Sequence, residues 1–194
     1  NSITTDNNGK ILVLGHDNVV GDNIFLNRYN ANGTLDNNFG TGGTFEYDLN
    51  SDYDYGRCVK ALPDGKYLIS GQNSVGPYFR AIIVRVNSNG TLDNTFGNNG
   101  TLIINPNQAN CDAWSMEVAP GGSIYVAGYR TVSGTLKAVV WKVTPNGTLD
   151  AGFGSSGEKV ISTNSYTERL FGIDLDAANN RLVVAGFSNT VSTP

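Results

Sequence analysis

The phrase Asn-Gly-Thr-Leu-Asp-x-x-Phe-Gly-x-x-Gly opens at Asn32, Asn89 and Asn146, so it recurs every 57 residues. A fixed period of this size is the mark of repeat architecture. A second landmark keeps nearly the same step, an apolar run ending at Gly15, Gly71, Gly128 and Gly186. The 194-residue chain is therefore about three and a half copies of one unit. The units fall at approximately 2–56, 57–112, 113–169 and 170–194, and a start and stop in mid-repeat point to a piece of a larger protein.

Each unit carries four short apolar segments. The first is weak: Ile3–Thr5, Val59–Leu62, Met116–Val118 and Ile173–Leu175. The second is Ile11–Leu14, Tyr67–Ile69, Ile124–Ala127 and Leu182–Ala185, and the third Ile24–Leu26, Ala81–Val84 and Ala138–Trp141. The fourth follows the glycine-rich phrase, at Phe45–Tyr47, Leu102–Ile104 and Lys159–Ile161. Val, Ile, Tyr and Phe dominate, and short runs between Gly, Asn, Asp and Pro clusters read as strands. The second and third segments are apolar at consecutive positions, so both of their faces are buried. Four-stranded antiparallel units covered on both faces are the blades of a β-propeller, and the expected class is all-β. A sandwich would leave one face in water and show cleaner alternation; a solenoid is the other alternative.

The turns follow from local chemistry. Asn8-Gly9, Pro63-Asp64-Gly65 and Pro120-Gly121-Gly122 join the first and second strands, with glycine supplying positive φ. In the long phrase, Asp36, Asp93 and Asp150 accept backbone N–H groups two or three residues on. Phe39, Phe96 and Phe153 plug the space between blades, beside Gly40, Gly97 and Gly154. Residues repeated so closely read as scaffold. Sequons occur at Asn32, Asn89, Asn99 and Asn146, all in a phrase where Asn-Gly serves conformation, which makes glycosylation the weaker reading.

The segment Leu35-Asp36-Asn37-Asn38-Phe39-Gly40, its copies at Leu92 and Leu149, and the run from Gly9 to Gly15 resemble the delta-sixty repeat, a β-propeller family of long bacterial surface and secreted proteins. The resemblance covers essentially the whole chain. It implies an extracellular or cell-surface location, adhesin-like or cargo roles, for some members type IX secretion, and no catalytic residues. The fourth unit departs from it, reading Ala178-Asn179-Asn180-Arg181, one residue longer and without the glycine.

Charged residues make up 15% of the chain and the net charge is −4, which speaks against a nucleic-acid partner, where a basic stripe is expected. No run approaches the ~18 apolar residues of a membrane span. Cys58 and Cys111 lie 53 apart, off the repeat register, and read as two separate thiols more readily than as one bridge.

In an up-down meander the repeated phrases gather at one end and the diverged connections at the other. The diverged stretches are His16–Asp22, Leu49–Tyr55, Gln72–Tyr78, Pro106–Asp112, Tyr129–Gly134, Thr163–Arg169 and Phe187–Thr193. Rigid frames present function on such loops. The candidate ligand or partner residues are Tyr53, Asp54, Tyr78, Asp112, Trp114, Tyr129 and Arg130. Aromatics beside amides and carboxylates suit a sugar and equally a protein partner, where Tyr, Trp and Arg are the usual anchors; ordinary loop composition is the bland alternative. The partner expected is a protein or the remaining blades of the same protein, with a glycan second.

Asp52-Tyr53-Asp54-Tyr55-Gly56 is a poor calcium loop, because its glycine arrives early and no closing Glu follows. His16 is the single histidine and reads as exposed, so neither a metal site nor a triad gathers around it. No metal or cofactor is expected. Asp54, Asp112 or Glu168 could supply a glycosidase carboxylate pair, which keeps a polysaccharide-active enzyme as the remote alternative. Lys60, Glu117 and Asp174 share one slot of the first strands and read as a mixed-charge channel wall.

Overall fold

The structure, a computed structural model, describes residues 1–16, 22–49, 53–104, 110–161 and 166–189. The first sheet is the antiparallel meander β1 (Ser2–Thr5), β2 (Ile11–His16), β3 (Ile24–Tyr29) and β4 (Thr44–Tyr47). The second is β5 (Asp54–Ala61), β6 (Tyr67–Val75), β7 (Tyr78–Val86) and β8 (Thr101–Ile104). The third is β9 (Cys111–Val118), β10 (Ile124–Val132), β11 (Thr135–Val143) and β12 (Glu158–Ile161). The fourth has two strands, β13 (Thr167–Asp176) and β14 (Arg181–Asn189). These are propeller blades. The only helical element among the described residues is a 3-10 turn, Ala177–Asn179, where the fourth unit lacks the hairpin glycine. The Asp176 side chain accepts from the Asn179 N–H there, and Asn180 supplies the left-handed residue at φ 50°.

Consecutive apolar residues point to opposite faces of a strand, and each face meets a different blade. Ile82 and Val84 join Leu12, Leu14, Leu26 and Phe39 in the layer between the first and second blades. Ala81 and Ile83 join Met116, Val126 and Trp141 in the layer between the second and third. The core is thus a series of layers, one per joint. The first strand of each unit packs into its predecessor's sheet, β5 on β1 and β2, β9 on β5 and β6, and β13 on β9 and β10.

The repeated phrase works across these joints. Phe39 and Phe96 are both 0% exposed. Phe153 packs edge-to-face on Tyr125 of its own blade and stays half-buried, because the next sheet has two strands among the described residues, β13 and β14. Asp36, Asp93 and Asp150 accept the N–H of Asn38, Thr95 and Gly152, as expected. They also hold ion pairs the sequence reading did not foresee. Asp36 meets Lys10 at 2.8 Å and Arg28 at 3.0 Å, Asp93 meets Lys66 at 2.7 Å and Arg85 at 2.6 Å, and Asp150 meets Lys142 at 2.8 Å. The hydrogen bond from Lys10 leads in lowering the Asp36 carboxyl. At Asp93 burial works the other way but is outweighed by Lys66, Thr95 and Arg85, and its carboxyl lies well below the usual range.

The diverged stretches are more regular than their composition suggests. Gln72–Val75 and Tyr129–Val132 are strand, closed by two-residue turns, and the first strands extend back to Asp54, Cys111 and Thr167. The expected unit limits at 56, 112 and 169 therefore fall inside β5, β9 and β13. The polar Gln72-Asn73 stretch stays extended because its backbone pairs on both sides, with β5 and β7. Residues 17–21, 50–52, 105–109, 162–165 and 190–194, which carry most of the other loops, lie outside the described residues.

Candidate functional site at the diverged end

The inner strands bulge at one place in three successive blades. The ladder of β5 with β6 slips between Gly56 and Cys58, that of β9 with β10 passes over Trp114, and that of β13 with β14 slips between Leu170 and Gly172. The residues left unpaired are Arg57, Trp114 and Phe171, each 57 from the next. A bulge re-aims the side chain it carries. Here the three side chains meet in a row. The Arg57 guanidinium lies 4.3 Å from the Trp114 ring centroid, and Trp114 meets Phe171 edge-to-face at 5.0 Å.

The row is flanked on both sides. Tyr55 lies 5.5 Å from the Arg57 guanidinium, stacks on Tyr53 and takes His16 edge-on at 4.9 Å. Arg169 lies 4.9 Å from the centre of Tyr129. Beneath the row Asp112 is 0% exposed and accepts from Arg57 at 3.1 Å. Burial pushes its carboxyl up to about 6, against the pull of Arg57. The Trp114 indole N–H is buried with no hydrogen-bond partner among the described residues.

The seven residues proposed from sequence separate into groups. Asp112, Trp114 and Tyr129 belong to this cluster. Tyr53 and Tyr78 are 47% and 40% exposed and free to touch a partner. Asp54 is instead wholly buried, accepting from the Leu49 N–H at 2.7 Å and from Asn73 at 2.9 Å. Both of its oxygens are engaged in the scaffold, and with them the middle of the supposed calcium loop. Arg130 also leaves the cluster: Tyr129 and Arg130 point to opposite faces of β10, and Arg130 pairs with Glu158 of β12. Glu168 is 2% exposed and meets Lys137 at 3.4 Å. The three acids considered for a carboxylate pair thus serve as buried struts. Lys60 and Glu117 pair across neighbouring first strands.

Arg57, Phe171 and Arg169 were missed. Their signal was present in the 57-residue spacing of Arg57, Trp114 and Phe171, which share one slot while differing in type. Neither Cys58 nor Cys111 is in a disulfide. Burial raises both thiols, that of Cys111 to about 12, so neither is poised as a nucleophile. Among the described residues no helix is long and apolar enough to cross a membrane.

Residues 7–39, 62–96 and 120–153 match a family described as a domain of unknown function (DUF5122) beta-propeller. The matches cover more than half of the chain and recur once in each of the first three units, and the chain belongs to that family. Among curated proteins none matches it.

Proposed function

We propose that this propeller module is a non-catalytic interaction platform of a bacterial cell-surface or secreted protein, and that it holds a protein partner at its diverged end. The observation that carries the reading is the row Arg57–Trp114–Phe171. Arginine and large aromatics are the residues that dominate protein interfaces, and here a repeated bulge pre-positions them on strands, so little ordering entropy is lost on binding. Phe171 is 44% exposed, and Tyr53 and Tyr78 add further exposed rings. The buried, strapped state of Asp54, Asp112 and Glu168 favours binding over hydrolysis. The extracellular location and the finer assignment to the delta-sixty repeat, with its adhesin-like and type IX secretion associations, rest on the resemblance of the repeated phrase.

Photo-crosslinking tests the platform. A benzoylphenylalanine at position 53, expressed in the producing organism, is expected to yield one discrete protein adduct that Trp114→Ala weakens. Sugar binding on a glycan array, lost with Tyr53→Ala or Tyr129→Ala, would replace the protein partner with a glycan. Turnover of a polysaccharide abolished by Asp112→Asn would make the module an enzyme. Protease treatment of intact cells tests the location.

A further inference from the structure

Two arginines and one carboxylate converge at the diverged end, and the charges do not balance. Asp112 and Tyr129 are partners in the β9–β10 ladder. Arg57 comes from β5 and donates to Asp112 through both Nε and Nη2, at 3.2 and 3.1 Å. Arg169 comes from β13, with its guanidinium over the Tyr129 ring. Burial raises the Tyr129 hydroxyl, Asp112 adds to that, and Arg169 and Arg57 oppose it, so all three charges bear on one group.

Arg57 thus has its counterion, and Arg169 is left over. Arg169 is half-buried, its Nε is buried with no acceptor, and its guanidinium donates to nothing among the described residues. Its neighbour Glu168 points to the other face of β13, where it meets Lys137 at 3.4 Å. Asp22 hydrogen-bonds the Tyr55 hydroxyl on the other flank of the row. Residues 105–109, 162–165 and 190–194, outside the described residues, contain no Asp or Glu. A half-buried cation without a counterion has lost hydration that nothing in these two blades replaces.

We infer that the partner held at this end presents an acidic side chain, and that an Asp or Glu carboxylate of a polypeptide pairs with the Arg169 guanidinium. A guanidinium packed on a ring keeps its N–H edge for a planar, bidentate acceptor. One cation calls for one negative charge, which a carboxylate supplies and a phosphate group, at nearly two, exceeds. A sugar acid has the same carboxylate but also needs a flat ring platform for its pyranose. The two nearest rings are already covered, Trp114 by Arg57 and Tyr129 by Arg169. This inference deepens the platform reading and rests on it.

The probe is N-acetyl-aspartate methylamide, titrated into the isotope-labelled chain and followed at the Arg169 Nε–H. A saturable shift is expected there. N-acetyl-asparagine methylamide is expected to bind about tenfold more weakly, since it lacks the charge. Arg169→Gln is expected to abolish binding, and it removes no ion pair seen among the described residues, so the fold should survive it. No shift, equal binding of the asparagine analogue, or binding that persists in Arg169→Gln would each overturn the inference. So would tighter binding of inorganic phosphate or of glucuronate, which would reassign the site to that anion. The crosslink at position 53 separates this inference from the platform itself. An adduct that forms as well in Arg169→Gln as in the wild-type chain sinks the acidic contact and leaves the platform standing. No adduct in the wild-type chain sinks the platform, and the partner's acidic residue with it.

Discussion

The backbone N–H of Gly40 donates to the carbonyl of Asn89 at 2.8 Å, one blade's phrase bonding directly to the next, and Gly97 does the same to Asn146. The contact is close because the residue after each asparagine is glycine: a Cβ on Gly90 would stand 2.2 Å from Gly40 N. Gly33 holds the same place in the first phrase, but nothing lies within 4 Å of its Cβ position. Both have φ near 80°.

Two equivalent glycines should therefore tolerate alanine very differently. Gly33→Ala meets only the left-handed backbone penalty, about 1–2 kcal/mol. Gly90→Ala adds a backbone collision that the joint must open to relieve, and a loss of more than about 3 kcal/mol is expected. Urea unfolding of the two variants side by side is the measurement. Equal losses would mean that the phrase does not couple blades.

The three repeated phenylalanines should rank by how well each is covered. Phe96→Ala, at a wholly buried site, is expected to cost about 3–5 kcal/mol. Phe153→Ala, half-buried on Tyr125, should cost roughly half as much, since area removed from water scales the loss. Tyr53→Ala, 47% exposed, should fall below about 1 kcal/mol. Thermal unfolding tests the order, and a Tyr53 loss matching that of Phe96 would undo the division between scaffold end and working end.

Stability should vary with pH in two windows of opposite sign. Asp112 has its carboxyl raised to about 6, so between about pH 4 and 6 the folded chain holds a proton that the unfolded chain has released. Its contribution is full below pH 4 and lost as pH rises toward 6, a change on the order of 3 kcal/mol. Asp36 and Asp93 are lowered, so theirs is present above about pH 4 and is lost as pH falls further. Asp112→Asn should erase the decline between pH 4 and 6 and spare the acid limb. An unchanged profile would show that Asp112 titrates normally.

Arg57 and Asp112 should prove strongly coupled. Arg57→Ala at pH 8 leaves a buried carboxylate unpaired and strips the cation from the Trp114 face, for an expected loss of about 3–5 kcal/mol. Adding Asp112→Asn should restore part of it, with a coupling of about 1–3 kcal/mol in a double-mutant cycle. Additive losses would sever the link between the ion pair and the bulge row.

Repetition made the blades readable. A phrase returning every 57 residues needs no tertiary information to announce one unit copied in series, and apolar residues at consecutive positions, as in Ala81–Val84, announce strands covered on both faces. The turn glycines and the Asp36 cap are also local, because their partners lie within a few residues. What the chain does at its two ends was decided between blades. Asp54 has the look of an exposed loop acid until Asn73, on a neighbouring strand, closes over it. Gln72 and Asn73 have the polarity of a loop and are strand because ladders on both sides satisfy their backbone. The row Arg57–Trp114–Phe171 arises from side chains 57 residues apart on three successive blades. Its chemistry is a sum over those blades, and composition within one unit carries no trace of it.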